Sequence, residues 1–428
     1  MSVTFNFLGV SVLALLLAGY LGQHFLPPPK PRIVGIDLGT TYSCIGVYHA
    51  VTGDIQVFAD DLHQTIPSMV AFTPDGSKLI GHDALCQAEQ YTQNTIYDAK
   101  RFIGKTFDEE SLRKQAARYP FKVKLKNGMA RFEVNSDEVT PEYVGSCIVS
   151  ELKTTAERNL GFKVNKVVLS VPAEFDEMQR NYTRKAAELA GLEVMRMINE
   201  PTAAAMAYGL HKQKGVSNII VVDMGGGTLD VSLLTVYGGM FQTIAMAGNN
   251  HLGGQDINQR LMEYCCDLIF KRYGQLLENP LDLQRVRLAV EEAKINLTTH
   301  HSVLLKIPLT SLNVKTMFVE QLTRETFDTL NEELFKKVLQ PIQLVLDDVE
   351  MSTTDIDEVV LVGGSTRIPR VRRLVADFFN KEPNVEIDPE LAVVYGVSIQ
   401  AGIIGGMWPV QVSAIEIHGR KVRKIQVQ

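Results

Sequence analysis

Two glycine-rich segments contain the residue types that a metal–phosphate site requires. The first, GIDLGTTYS, covers residues 35–43, and the second, DMGGGTLD, covers residues 223–230. Glycine lets backbone N–H groups approach phosphate oxygens, and the threonine hydroxyls add further donors. Because Mg²⁺ prefers carboxylates and water, Asp37, Asp223 and Asp230 could hold a hydrated ion. Either segment alone could be an ordinary glycine-rich turn, but together they predict a phosphate-binding site.

An apolar run precedes the glycines in each segment, so the two form an internal repeat. IVGIDLG at residues 33–39 is echoed by IVVDMGG at residues 220–226, and the two aspartates are 223 − 37 = 186 residues apart. From residue 31 onward, strand and helix patterns alternate, which indicates parallel or mixed sheets covered by helices. The repeat therefore predicts an α/β fold with two lobes, at residues 31–210 and 217–405, and a metal site between them.

Other local signals are weaker. Thr140–Glu142 and Asp388–Glu390 each combine a capping residue, a proline and a first-turn acid, and both predict the start of a helix. Gly104–Thr106 resembles the end of a P-loop, but Ala99 occupies the position of its first glycine. The run that begins at Gly225 lacks the third glycine of a dinucleotide fingerprint. These last two signals are rejected.

Composition places the chain among ordinary globular proteins. Of 428 residues, 45% are hydrophobic and 21% are charged. A net charge of −6 argues against a nucleic-acid-binding protein, which would need a basic surface. Five cysteines are too few, and odd in number, for a disulfide framework, so we expect free thiols. The nine histidines show no H-x-x-x-H spacing, which speaks against a structural metal.

The N-terminal segment differs from the rest of the chain. Residues 5–22 carry no charge and are centred on VLALLL; three prolines and then Lys30 follow. This pattern predicts either a secretory signal peptide or a short membrane anchor within residues 1–22, and the length lies between the two. We expect membrane targeting, with the side of the membrane left open.

Five further segments show a resemblance to a known family. They are NTIYDAKRFIG, VLSVPAEF, INEPTAAAMAYGL, HLGGQD and LVGGSTRIP, beginning at residues 94, 168, 198, 251 and 361. With the two glycine-rich segments, they resemble the ATPase domain of the seventy-kilodalton heat-shock chaperone family, over about residues 32–405. The resemblance implies the two-lobed, actin-like fold, with duplicated ribonuclease-H-like lobes and a nucleotide cleft that binds ATP or ADP with Mg²⁺.

The resemblance also implies a role for each matching residue. Lys100 matches the catalytic lysine, which would orient the attacking water and meet the γ-phosphate charge. Glu200 matches a carboxylate that positions metal-bound water and couples the lobes. Asp37 and Asp223 match the residues that hold Mg²⁺ through water, and Asp230 matches a carboxylate near the attacking water. The remaining matches contact the phosphates or the adenosine: Gly39, Thr40, Thr41, Tyr42, Gly225, Gly226, Gly227, Thr228, Glu291, Lys294, Thr298, Gly363, Gly364, Ser365 and Arg367.

The chain departs from the family pattern in informative places. Ile295 replaces an arginine that usually stacks on adenine, Gln255 replaces a glutamate beside the cleft, and Leu391 replaces another glutamate. After Pro409 only 428 − 409 = 19 residues remain, too few for the family's peptide-binding domain and lid. With the N-terminal apolar segment, this is similar to the microsome-associated, ATPase-core-only branch of the family.

These features are compatible with three functions, of which the first is favoured. The first is a peptide-independent, Mg²⁺-dependent ATPase at the endoplasmic reticulum, in protein folding or quality control. The second is a nucleotide-regulated adaptor that binds other chaperone or quality-control proteins, with hydrolysis incidental. A sugar kinase is disfavoured by the heat-shock segments around Lys100 and residue 198. We expect a monomer without nucleic-acid partners, whose contact with the membrane is limited to the N-terminal segment.

Overall fold

The computed structural model describes residues 12–17, 30–60, 62–312 and 316–406, and the backbone of a last strand at 424–426. A short helix, α1, covers residues 12–17. Most of the predicted signal or anchor at residues 1–22 and most of the C-terminal tail from residue 406 lie outside these residues. Among the described helices, none combines the length and the apolar character needed to cross a bilayer.

The first half of the chain builds one large mixed sheet and two small antiparallel sheets. Its strands are β1 (Val34–Leu38), β2 (Tyr42–Tyr48), β3 (Ile55–Phe58), β4 (Ile66–Pro67), β5 (Met69–Phe72), β6 (Lys78–Ile80), β7 (Thr95–Tyr97), β8 (Lys122–Lys126), β9 (Met129–Val134), β10 (Asp137–Val139), β11 (Lys166–Val171) and β12 (Glu193–Asn199). Its helices are α2 (His82–Cys86), α3 (Glu109–Ala116), α4 (Pro141–Leu160), α5 (Glu177–Leu189) and α6 (Glu200–Ala207).

The second half builds a second mixed sheet with its own helices. Its strands are β13 (Asn218–Met224), β14 (Leu229–Tyr237), β15 (Met240–Asn249), β16 (Ser302–Leu309), β17 (Thr316–Thr323), β18 (Glu358–Val362) and β19 (Lys424–Gln426). Its helices are α7 (Gly254–Tyr273), α8 (Pro280–Asn296), α9 (Arg324–Leu330), α10 (Glu332–Lys336), α11 (Leu339–Asp348), α12 (Pro369–Phe379) and α13 (Ala392–Ile404).

The two large sheets repeat one pattern of strand pairing. In the first, the order is β12-β11-β1-β2-β3, with β1 parallel to β11 and antiparallel to β2. In the second, the order is β18-β13-β14-β15-β19, with β13 parallel to β18 and antiparallel to β14. Both glycine-rich segments are hairpin turns, one between β1 and β2 and one between β13 and β14. The predicted two-lobed α/β fold is confirmed at the level of fold class, and the lobe bounds stay a prediction.

Helices α6 and α13 join the two sheets. They pack against each other so closely that a Cβ on Gly396 would overlap the Ala203 carbonyl oxygen. Helix α13 also covers β1 and β2, where Gly35 lies against the Ser398 backbone. Because α6 contacts strands of both sheets, the shared core holds the ends of β1 and β13 near each other. The last helix therefore covers the first sheet although it follows the second in sequence.

Local sequence signals explain several helix ends. Helix α4 begins after Thr140, whose hydroxyl accepts the Tyr143 N–H at 3.1 Å, and it ends at Gly161 with φ 72°. The helix start predicted at Asp388–Glu390 is wrong by a few residues, because α13 begins only at Ala392. Here Asp388 accepts the Glu390 N–H at 3.0 Å and pairs with Arg367, which forms a turn before the helix.

Candidate functional site

The two glycine hairpins meet at the floor of a cleft between the sheets. A Cβ on Gly226 would overlap Thr41 Oγ1, so the second hairpin lies directly against the first. A Cβ on Gly39 would overlap the Tyr42 carbonyl oxygen, so this turn also needs glycine. Gly363 has φ 83° and its Cβ position is filled by the Met224 carbonyl group. Three backbone segments therefore converge where the sequence predicts phosphate.

A small cavity and a larger one adjoin along this cleft. The phosphate-end cavity has a volume of about 110 Å³, and the adenosine-end cavity about 460 Å³. They share Thr41, Tyr42, Gly226, Gly364 and Glu390, so they are two parts of one cleft. Their combined size suits a nucleotide.

Every site residue predicted from the sequence lines one of these cavities. The phosphate end brings together Asp37, Gly39, Thr40, Thr41, Tyr42, Lys100, Glu200, Asp223, Gly225, Gly226, Gly227, Thr228, Asp230, Gly363 and Gly364. The adenosine end adds Glu291, Lys294, Thr298, Ser365 and Arg367. The structure thus assembles the predicted set in one place, while the individual roles stay predictions.

Lys100 is the one lysine at the phosphate end among the residues that the structure describes. It lies in a single 3₁₀ turn, Ala99–Arg101, and its Nζ is 2.8 Å from Oε1 of Glu200, the first residue of α6. The two side chains are only 9% and 12% exposed. Burial lowers the pKa of Lys100, but Glu200, Asp37 and Asp223 together outweigh it and raise the pKa above its ordinary value. The lysine is therefore a fixed, protonated group.

Two aspartates face each other across the second hairpin. Asp223 on β13 is the register partner of Asp230 on β14, whereas Asp37 on β1 lies opposite the Cys44 thiol. The Thr228 hydroxyl donates to Asp230 Oδ2 at 2.8 Å. The second hairpin therefore supplies one more carboxylate than the first.

These carboxylates have strongly raised pKa values. Burial, and then the negative charge of Glu200, raise the pKa of Asp37 to about 6, although the Ser170 hydroxyl donates to it at 2.6 Å. Burial, and then Glu174, raise the pKa of Asp230 to about 8. Burial and its acidic neighbours also raise the pKa of Asp223 well above the ordinary value. Negative charge is in excess in this cavity, because its described lining contains five carboxylates and one lysine, Lys100, while Lys105 acts on Asp230 from outside the lining.

This excess makes the phosphate end a good fit for a divalent cation with phosphate. Mg²⁺ would balance the carboxylates, and Asp37 and Asp223 are placed to hold it through water. Thr41 Oγ1 is buried and has no hydrogen-bond partner among the described residues, so it is free to donate to a phosphate oxygen. Both observations are independent of any resemblance.

The adenosine end is built differently, because its charges are paired. Lys294 Nζ is 3.0 Å from Glu291 Oε2 and also donates to the Gly254 carbonyl oxygen at 3.3 Å. Arg367 pairs with Asp388 and lies 3.4 Å from Glu390 Oε2. Lys294 and Arg367 therefore have acidic partners at this end before any ligand arrives.

Comparison with known proteins decides the family. The family model described as "Hsp70 protein" matches residues 33–418. The chain belongs to the Hsp70 family. It is 51% identical to heat shock 70 kDa protein 13 of Rattus norvegicus and of Bos taurus, and 50% identical to that of Homo sapiens. Each match covers 97% of this chain and 98% of the relative. Hsp70 proteins have the actin-like ATPase fold and bind ATP or ADP with Mg²⁺, which agrees with the cleft.

Ile295 is an informative departure from the Hsp70 pattern. Its side chain is 47% exposed and lines the adenosine-end cavity. It therefore does not face the core of the second half. A substitution at this position would therefore act on the cavity directly.

Sequence reasoning missed several residues of this Hsp70 cleft. The sequence places Glu390 only in a predicted helix start, yet the residue lines both cavities, and burial raises its pKa. Glu174 follows Pro172 in the VLSVPAEF segment, and its charge acts on Asp230. His63 and His82 line the adenosine end. The position of Glu174 within a matched segment and of Glu390 within a helix-start signal could have identified the two glutamates, but nothing in the spacing indicated the histidines.

Proposed function

We propose that the chain binds Mg²⁺-ATP in this cleft and hydrolyses it without needing a peptide substrate. The observation that carries the proposal is the buried Lys100–Glu200 pair, 2.8 Å apart, beside the carboxylates of both phosphate hairpins. A pure binding site would need the phosphate loops but not a buried lysine held among acids. Such a lysine lowers the barrier by meeting the charge that develops on the transferred phosphoryl group.

Each side chain at the phosphate end has a separate role in the proposed hydrolysis. The Lys100 ammonium, held by Glu200, orients the attacking water and offsets the charge of the γ-phosphate. Asp230 is the best candidate to accept a proton from that water, since a pKa near the working pH suits a general base. The Thr228 hydroxyl fixes the orientation of Asp230. When bound, Mg²⁺ would lower the barrier by neutralising phosphate charge at Asp37 and Asp223.

Peptide independence is proposed because the matched motifs of the described residues assemble one cleft. A coupling free energy needs a second site, and the cleft is the one assembled from the matched motifs. We propose that the chain works in protein folding or quality control, with other chaperones or quality-control proteins as partners.

Phosphate release from ATP by purified protein tests the proposal. We expect release in the absence of peptide and sugar, with no sugar phosphate formed when glucose is added. An unfolded peptide should leave both the rate and the ADP affinity unchanged. Several-fold stimulation by peptide would contradict peptide independence. Tight ADP binding without any hydrolysis would instead favour the nucleotide-regulated adaptor.

We also propose a location at the endoplasmic reticulum, supported by the uncharged segment at residues 5–22. Protease treatment of sealed microsomes should leave the body of the chain intact if it is luminal. In that case Asn181, exposed on α5 within an N-x-T sequon, is the site where glycan is expected. Complete digestion without detergent would contradict the luminal location.

A further inference from the structure

Three potential metal ligands meet at the rim of the adenosine-end cavity. Asp60 and His63 lie in the loop between β3 and β4, and His82 is the first residue of α2. The imidazole rings of His63 and His82 are stacked, with centroids 4.0 Å apart and planes inclined by 27°. Both histidines line the same cavity as Ile295. Strands β4, β5 and β6 separate His82 from the other two ligands in sequence. The chain reverses direction between these strands, so His82 comes next to His63 and Asp60, which precede it by 19 and 22 residues.

The spacing of the ligand atoms suits a tetrahedral ion. Asp60 Oδ2 lies 3.0 Å from His63 Nδ1 and 3.6 Å from His82 Nε2, and the three ligand atoms all lie within 4.8 Å of one another. Metal–ligand bonds of about 2.0–2.1 Å imply ligand atoms about 3.3 Å apart in a tetrahedron. Two edges already have that length to within a few tenths of an ångström. The third, between the two imidazole nitrogens, is at most 4.8 Å, and a rotation of His82 that releases its Nε2 from the Thr65 carbonyl oxygen, 3.3 Å away, would shorten it.

The carboxylate is oriented before any ion arrives. Asp60 Oδ1 accepts the backbone N–H groups of Leu62 at 2.8 Å and His63 at 2.6 Å, which holds the carboxylate beside the two imidazoles, with His63 Nδ1 3.0 Å from both carboxylate oxygens. On the other side of the site, Gly81 with φ 63° donates its N–H to the Met69 carbonyl oxygen at 3.0 Å, so the start of α2 is fixed. Hydrogen bonds that orient ligands in this way are a usual property of metal sites.

We propose that Asp60, His63 and His82 bind a divalent transition-metal ion of the Zn²⁺ class, with a fourth position open to water. Two imidazoles with one carboxylate select such ions over Mg²⁺, which prefers oxygen ligands alone. The site is separate from the carboxylates of the phosphate end. Side-chain exposures of 31% to 49% leave it accessible from solvent. An ion bound there would lie next to the part of the cavity in which the matched residues are expected to bind adenosine.

Cobalt binding tests the proposal, because tetrahedral Co²⁺ has intense visible absorption. The protein is titrated with Co²⁺ in excess Mg²⁺ and ADP, so that the carboxylates of the phosphate end are occupied. We expect one equivalent of Co²⁺ with a tetrahedral spectrum and no thiolate charge-transfer band, displaced by Zn²⁺. His82→Ala and Asp60→Asn should each weaken binding at least tenfold. In thermal melts, Zn²⁺ should raise the Tm of the natural protein more than that of either variant.

Two control variants separate this site from other ligands. His49→Ala removes a histidine just after β2 whose ring, within the described part of the chain, has Gln56 as its hydrogen-bond partner at 3.0 Å, and Cys86→Ser removes an exposed thiol on α2. Both should bind Co²⁺ like the natural protein. The proposal is overturned if the natural protein gives no tetrahedral spectrum, or if His82→Ala, His63→Gln and Asp60→Asn all bind as tightly as the natural protein. A loss in Cys86→Ser equal to that in His82→Ala would overturn it too.

Discussion

The two ends of the cleft differ in whether their charged side chains are balanced by other protein groups. At the adenosine end, Lys294 is paired with Glu291, and Arg367 is paired with acids of the turn before α13. At the phosphate end, Lys100 faces an excess of buried carboxylates whose pKa values are raised by burial and by one another. One end is balanced within the protein, and the other is balanced only when a cation is present.

This difference indicates that the phosphate end governs hydrolysis, whereas the adenosine end governs nucleotide affinity. Charge left unbalanced in a buried site costs stability unless a ligand supplies the counter-charge. The phosphate end therefore favours the binding of metal and phosphate, and its unbalanced charge lowers the stability of the fold when no ligand is bound. The adenosine end makes its contacts without such strain, so a substitution there should alter nucleotide affinity and leave hydrolysis alone.

The largest effect is expected from Lys100→Met. Loss of a charge contact made in the transition state should lower single-turnover hydrolysis roughly a hundredfold or more, while ADP binding by calorimetry stays close to normal. Lys114→Met is the matched control, because Lys114 is an exposed lysine of α3 paired with Glu110. An unchanged hydrolysis rate in Lys100→Met would remove this lysine from the mechanism.

A smaller effect is expected on stability from Asp230→Asn. The pKa of Asp230 rises from 3.8 to about 8 on folding, so the folded state binds more protons than the unfolded state in that interval. The free energy of unfolding without Mg²⁺ or nucleotide should therefore fall as pH rises from about 4 to about 8. At about pH 9 the variant should be more stable than the natural protein by on the order of a few kcal/mol, and about equal to it near pH 4.

Urea unfolding across this pH range measures that effect. The exposed Asp137 on β10 provides the control variant Asp137→Asn, which should follow the natural protein at every pH. Hydrolysis by Asp230→Asn should be lost even where its stability is higher. A variant less stable than the natural protein at high pH would show that the carboxylate is not a source of strain.

The smallest effect concerns adenine. Ile295→Arg should tighten ATP and ADP binding together by up to about tenfold, since a guanidinium stacked on adenine contributes roughly 1 kcal/mol. At 47% exposure this position should accept the larger side chain without loss of the fold. Ile295→Lys supplies charge without a planar group and should gain less. Equal or weaker ADP binding by the arginine variant in calorimetric titration refutes stacking as the cause.

The phosphate end was more predictable from sequence than the rest of the cleft. Its hairpins are local: an apolar strand, an aspartate, glycines and threonine occur within nine residues, so their geometry follows from short-range rules. The repeat of that pattern also predicted two sheets of similar pairing. Long-range placement was not predictable in this way. The approach of Glu390 to both cavities, the covering of β1 by α13, and the stacking of His63 on His82 depend on how distant segments pack.

The most direct test of the contrast between the two ends is the position of the metal in a crystal grown with ADP and Mn²⁺ in place of Mg²⁺. Anomalous scattering from Mn²⁺ locates the ion without assumptions about ligands. We expect a peak between Asp37 and Asp223, next to the phosphate hairpins, and none beside Glu291 or Arg367, where the charges are already paired. ADP bound with no Mn²⁺ near Asp37 and Asp223 would contradict a phosphate end organised around a cation.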